Sequence, residues 1–111
     1  MSNAQLVIFG ELTDLNEYIR RERGNKYAAH AVKESETNRV FWECKKQKVK
    51  TFSIPCGIEM HWHVKNKKKD PDNISFAKKF ILDGMVLAKV LAGDGQKHIL
   101  GFIDMFFIDE K

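Results

Sequence analysis

The chain has 111 residues, 43% of them hydrophobic, with eight Phe and two Trp, and carries a net charge of +4. That length holds one domain with a real core, and the apolar content excludes wholesale disorder. The pI of about 9.1 leans toward acidic partners such as nucleic acid without naming one. Two cysteines, Cys44 and Cys56, form no CxxC and no disulfide framework. There is no secretory apolar segment and no run long enough to span a membrane, so a reducing cytoplasm is the expected compartment. Met1-Ser2-Asn3-Ala4 reads as a cloning remnant, which leaves 5–111 as a single domain.

Leu6-Val7-Ile8-Phe9, closed by Gly10, reads as a first strand within Gln5 to Glu11. Thr13 or Asp14 can cap a short helix to Arg23, in which Leu15, Tyr18 and Ile19 repeat at helical spacing, and Gly24-Asn25 stops it. The longest helical pattern runs from Lys26 to about Lys48. Ala28, Val32, Val40 and Cys44 recur at multiples of four, with Ala29, Thr37 and Phe41 beside them, which makes one apolar stripe. Lys45-Lys46-Gln47-Lys48-Val49-Lys50 ends this helix. Cations there suit the negative end of the dipole, the reading preferred over direct DNA contact.

Thr51 to Val64 has strand chemistry. Cys56, Ile58, Met60, Trp62 and Val64 alternate with Gly57, Glu59, His61, His63 and Lys65, and Pro55 marks a strand start or an edge. His61 and His63 share the polar face. A His-x-His pair can bind metal, but no third ligand lies close by, so solvent-facing histidines are the plainer reading. Trp62 falls on the core side. After the polar loop Lys65 to Lys69, a helix is predicted from Asp72 or Asn73, behind Pro71, to about Leu91. Its stripe is Ile74, Ala77, Ile81, Met85 and Ala88. Ala92-Gly93-Asp94-Gly95 breaks it, and Ile99 to Ile108 makes a last strand with Asp104 as its only charge. The order β, short α, long α, β, α, β predicts an α+β domain: a small sheet of three to four strands with two or three helices packed on it.

The candidate chemistry lies in Lys67-Lys68-Lys69-Asp70-Pro71-Asp72-Asn73, with Lys79, Asp83 and Asp94 downstream. Carboxylates bunched this closely repel one another and call for a cation. Mg²⁺ suits them, since it prefers oxygen ligands and needs only one or two protein carboxylates plus waters and phosphates. In one helix from Asp72, advancing about 100° per residue, Lys79 lies about 20° short of two turns and Asp83 about 20° past three. Asp72, Lys79 and Asp83 then share a polar stripe, while Lys78 points about 120° away. Asp94, in its glycine turn, must fold back beside Asp70 and Asp72 for a site to exist. Such groups suit phosphodiester hydrolysis: carboxylates hold the metal, and the Lys79 ammonium offsets charge on the scissile phosphate. Singly, each has a plainer account. Asp72 caps a helix, Lys79 pairs with Asp83 on the surface, and Asp94 makes an Asp-Gly turn. The joint pattern favours the chemistry.

Three segments, Lys69-Asp70-Pro71-Asp72-Asn73-Ile74, Lys79-Phe80-Ile81-Leu82-Asp83-Gly84 and Gly93-Asp94-Gly95, resemble the RusA family of Holliday-junction resolvases. Leu12-Thr13-Asp14-Leu15-Asn16 is similar to that family's N-terminal region, so the likeness spans most of the chain and is strongest over 69–109. The resemblance implies a small α+β homodimer, bacterial or phage-encoded, that nicks four-way DNA junctions symmetrically with Mg²⁺, Mn²⁺ being able to substitute. It implies Asp70, Asp72 and Asp94 as metal ligands and Lys79 as the essential lysine. Asp83 and Asn73 would stand behind them, and Lys67, Lys68 and Lys69 would lie on DNA phosphates. Two positions depart from the pattern. Phe76 stands where the family's lysine is found, which reads as a three-residue insertion that moves the lysine to Lys79. Gly93 stands where a second acidic residue is often present. The alternative expectation is a non-catalytic branched-DNA-binding or phage recombination accessory protein on the same fold.

Overall fold

A computed structural model describes residues 4–109. Met1 to Asn3 of the expected cloning remnant lie outside the described residues. The elements are α1 (Leu15–Gly24), α2 (Lys26–Lys46), β1 (Cys56–Val64), α3 (Pro71–Ser75), α4 (Lys78–Leu87) and β2 (Ile99–Ile108). The expected α+β class is observed.

Asp14 caps α1 by accepting a hydrogen bond from the Glu17 N–H at 2.8 Å. Asn25 joins α1 to α2 alone. Its N–H donates to the Arg21 carbonyl at 2.9 Å, and its side chain accepts from the Tyr27 N–H at 2.8 Å. Along α2 the buried side chains are Ala29, Glu36, Val40 and Cys44. Three of these lie on the predicted stripe. Glu36, outside that stripe, tolerates burial because its carboxylate accepts from the Thr13 N–H at 2.7 Å and pairs with Arg39 at 3.1 Å.

The sheet has two strands among the described residues, fewer than the three to four predicted. The segment Gln5 to Glu11 is no strand, although Leu6 and Ile8 do pack against Val40, Cys44, Ala88 and Val90. Arg39 in α2 and Gln47, which caps that helix, bond four of the segment's backbone groups. The Gln47 amide donates to the Val7 carbonyl at 2.6 Å and accepts from the Val7 N–H at 2.9 Å. Arg39 donates to the Phe9 and Glu11 carbonyls at 2.6 and 3.3 Å. A backbone already satisfied this way has no need of a neighbouring strand.

β1 and β2 run parallel, joined by α3 and α4. The predicted alternation of β1 is observed: Met60 and Trp62 are buried, while Glu59, His61 and His63 are exposed. The strand begins later than expected. Before Cys56 there is only an isolated bridge, where the Phe52 N–H donates to the Val90 carbonyl at 2.8 Å.

The single helix predicted from Asp72 to Leu91 is two. At Phe76-Ala77 the backbone tightens into i−3 bonds: Ala77 N–H to Ile74 O at 3.3 Å and Lys79 N–H to Phe76 O at 3.2 Å. The two halves answer to different partners. α3 packs on α1 and α4 on α2. Phe76 lies 5.2 Å from the Tyr18 ring and 5.5 Å, edge-on, from Phe80. Buried Asn73 accepts from the Asn16 N–H at 2.9 Å.

On the core side of β2, Asp104 accepts from Trp62 Nε1 at 2.9 Å and from Lys78 Nζ at 2.7 Å. Burial alone would raise this carboxyl's pKa, but the Lys78 and Trp62 hydrogen bonds outweigh it and hold it below its ordinary value. A depressed carboxylate stabilises the fold above its unfolded pKa of about 3.9, and that contribution is lost as pH falls through the folded value. Urea unfolding should therefore show wild type losing more stability than Asp104→Asn between neutral pH and pH values well below about 4. Equal losses in the two proteins would refute this account of Asp104. No helix among the described residues is long and apolar enough to cross a membrane.

Candidate functional site

The acidic loop is anchored to the start of α1. Lys69 Nζ lies 2.7 Å from the Asp14 carboxylate. The hydrogen bond that Lys69 donates to the Asp14 carboxylate raises the Lys69 pKa. Burial would raise that of Asp14, but Lys69 and the Glu17 N–H outweigh it and lower it. Lys69, expected on DNA phosphate, is thus engaged with the α1 cap, while Lys67 and Lys68 are exposed in the turn closed by the Lys68 N–H and Asn66 Oδ1 at 2.9 Å. Asn73 makes the second anchor, to Asn16.

Between these anchors stand Asp70 and Asp72. The Asp70 carbonyl accepts from the Asn73 and Ile74 N–H groups at 3.1 and 3.2 Å, but its side chain makes no capping bond. Asp72 occupies the first turn of α3. Both residues are exposed, and among the described residues neither carboxylate has a hydrogen-bond or ion-pair partner.

A second group forms around Lys79. Its ammonium lies 3.2 Å from Asp83 and 3.7 Å from Asp94. Asp83, then Asp94, raise its pKa, so it is firmly charged. Lys78 turns the other way, to Asp104, and sits 4.3 Å from the centre of the Phe102 ring. The predicted divergence of Lys78 and Lys79 is therefore present, and so is the Lys79–Asp83 pair one turn apart. The predicted continuous stripe from Asp72 to Asp83 is not, because the helix breaks at Phe76-Ala77.

Among the described residues, no group of three or more His, Cys, Asp or Glu side chains is placed to hold a metal ion. The carboxylates fall instead into an open pair, Asp70 and Asp72, and a pair held by Lys79, Asp83 and Asp94. In kind, the open pair fits Mg²⁺, since two free carboxylates leave the remaining positions to water and phosphate oxygens.

Gly93 has a steric reason. A Cβ there would lie 2.7 Å from His98 Cδ2, so the imidazole takes the space that an acidic side chain would enter. Neither the place of His98 against Gly93 nor the contacts of Asp14 with Lys69 and of Asn16 with Asn73 was legible in the residues, since each joins positions distant in the chain or set by a turn. An Asn following an Asp-x-Asp motif is the one cue that pointed at the Asn73 contact.

β2 is apolar on both faces. Leu100, Phe102, Ile103, Met105, Phe106 and Ile108 are all exposed, and among the described residues the strand pairs along one edge. Comparison with known proteins found no family model that matches the chain and no similar curated protein or solved structure.

Proposed function

We propose that the chain is a Mg²⁺-dependent, structure-selective endodeoxyribonuclease that resolves four-way junctions by paired nicks, acting as a homodimer in recombination or repair in the bacterial cytoplasm. The observation that carries this reading is Lys79 held between Asp83 on α4 and Asp94 in the Gly93-Asp94-Gly95 turn. That is a charged, oriented ammonium seven residues along the chain from Asp72, whose carboxylate, like that of Asp70, has no partner among the described residues. The resemblance to RusA resolvases names the reaction.

Asp70 and Asp72 would hold the Mg²⁺, or Mn²⁺ in its place. Once bound, the ion supplies a water of lowered pKa and polarises the phosphoryl group. Asp94, the third ligand implied by the resemblance, lies 3.7 Å from the Lys79 ammonium, and among the described residues it is not gathered with Asp70 and Asp72 into a metal-ligating group. Asp83 aims the Lys79 ammonium, which offsets charge growing on the scissile phosphate. Lys67 and Lys68 hold neighbouring phosphates, and Lys69 and Asn73 fix the loop to α1. Phosphate contacts carry no base sequence, so binding follows junction shape and weakens with salt. A second copy against β2 would cover the exposed apolar side chains along it. A two-fold axis then places two identical sites on equivalent strands.

The test is incubation of the purified protein with a labelled four-way junction, with and without Mg²⁺. Paired incision only with the metal supports the proposal. Binding without incision supports the accessory-protein reading, which the absence of a gathered metal-ligand triad favours. Lys79→Ala should lower cleavage by about a hundredfold with little change in stability, because its ion pairs are half-exposed and each contributes under about 1 kcal/mol. Lys78→Ala should do the reverse, lowering stability by about 1–3 kcal/mol by leaving the half-buried Asp104 carboxylate without its counter-charge and with Trp62 as its remaining hydrogen-bond donor. The opposite order of effects in cleavage and urea unfolding would remove Lys79 from the site.

A further inference from the structure

The only non-glycine residues with positive φ among those described are Lys48, at φ 54°, and Lys89, at φ 63°. Each occupies the same place in its helix. Lys48 follows α2: its N–H donates to the Lys45 carbonyl at 3.2 Å, and the Val49 N–H donates to the Cys44 carbonyl at 3.1 Å. Lys89 follows α4: its N–H donates to the Val86 carbonyl at 3.0 Å, and the Val90 N–H donates to the Met85 carbonyl at 2.8 Å. Both are complete Schellman caps, whose left-handed position usually takes glycine because a Cβ crowds the following carbonyl. The helix dipole favours a lysine anywhere in the last turn, so it does not account for one at this strained position. What lysine adds over glycine here is an exposed charge.

The two caps belong to one surface. Lys45 Nζ lies 3.4 Å from the Ala88 carbonyl, and Thr51 Oγ1 donates to the Lys89 carbonyl at 2.7 Å. Lys46 and Lys50 flank Lys48 and are exposed. Nearby Glu43 is engaged by Gln47 at 3.0 Å and by Lys46 at 3.9 Å. Among the described residues, Lys48, Lys50 and Lys89 have no carboxylate partner. One turn back along α2 is Trp42, 66% exposed, its ring edge-on to Phe41 at 5.0 Å. An exposed indole one turn before Lys46, at the head of a run that holds the unpaired Lys48 and Lys50, combines a stacking platform with a phosphate track. Along α4 this surface lies about 15 Å from Lys79, at the helix's other end.

We propose that Trp42, Lys46, Lys48, Lys50 and Lys89 form a binding face for single-stranded nucleic acid, with Trp42 stacked on an unpaired base and the lysines on phosphates. The choice of polyanion rests on the nuclease reading above; the face itself rests on the two strained lysines. In a branched substrate it would take an unpaired stretch at the branch point.

The test compares wild type with the Lys48→Gly/Lys89→Gly double variant in binding to fluorescein-labelled oligo(dT), to duplex DNA and to phosphatidylserine-containing vesicles. Wild type should prefer oligo(dT), with its Trp emission quenched through Trp42 and the quench lost in Trp42→Leu. At about 0.1 M salt the double variant should bind oligo(dT) roughly ten- to thirtyfold more weakly, with a salt slope shallower by about 0.7 per lysine removed. Its unfolding temperature should not fall, since glycine suits both positions. Unchanged oligo(dT) affinity and slope, preference for duplex or for vesicles, or a lowered unfolding temperature would each overturn the proposal. The two readings fail separately. Oligo(dT) binding without junction cleavage removes the nuclease and leaves this face. Cleavage by a protein whose oligo(dT) binding ignores Lys48 and Lys89 removes the face alone.

Discussion

Gly84→Ala should lower the unfolding free energy by about 2 kcal/mol, although alanine is the better helix former. Gly84 is buried in α4 where that helix crosses α2. A Cβ added there would lie 2.5 Å from Val40 Cβ, 2.6 Å from Val40 Cγ1 and 2.9 Å from the Thr37 carbonyl. Two of these atoms are fixed by the α2 backbone, so no rotamer change relieves the contact and the helices must separate. Separation loosens the cluster of Val40, Cys44, Ala88 and Val90. Against the helix-propensity gain of about 1 kcal/mol stands an overpacking cost of about 3 kcal/mol. On a domain of this size the net loss should lower the melting temperature by about 10 °C or more. Val40→Ala should not rescue the variant, because the closest clash is Cβ to Cβ. Urea unfolding decides the matter: a Gly84→Ala protein as stable as wild type would mean that propensity governs this site and the close crossing does not.

The same crossing explains what could be read from the residues and what could not. The α1 and α2 boundaries were legible because Asp14, Gly24 and Asn25 act locally, through caps that need only neighbouring backbone. The alternation of β1 was legible because burial of one face imposes period two. The break at Phe76-Ala77 was not, because apolar residues keep helical spacing on both sides of it. The break comes from Phe76 and Asn73 binding α1 while Gly84 presses on α2, contacts distant in sequence. The lost first strand has a similar cause. Leu6-Val7-Ile8-Phe9 has strand composition, but Arg39 in α2 and Gln47 at its end bond its backbone from thirty and forty positions on. At the candidate site, the pairing of Lys79 with Asp83 follows from helical spacing, whereas its contact with Asp94 depends on where a turn falls. Lysine at a glycine position, as at Lys48 and Lys89, runs against the sequence rule and shows only in the backbone.

Asp72→Asn should abolish junction cleavage in Mg²⁺ and leave both folding and junction binding largely intact. Asp72 is exposed, and its carboxylate has no partner among the described residues, so the substitution breaks no contact on which the fold depends. It is also isosteric, and surface changes of this kind usually lie within about 0.5 kcal/mol. The loss of one negative charge, if anything, favours a polyanion. What it removes is half of the only open carboxylate pair in the loop. Loss of an outer-shell partner costs a metal site about 10–100-fold, so loss of a direct ligand should cost about a thousandfold or more. Thermal unfolding, junction binding and cleavage measured on one preparation separate these effects. The proposed homodimer makes the prediction sharper. Where wild-type and Asp72→Asn subunits are mixed, each mixed dimer has one working site, so junctions nicked on a single strand should accumulate and paired incision should fall. Normal cleavage by Asp72→Asn would sink the proposed site. Paired incision at undiminished yield in the mixture would sink the two-site dimer and leave a single subunit to make both cuts.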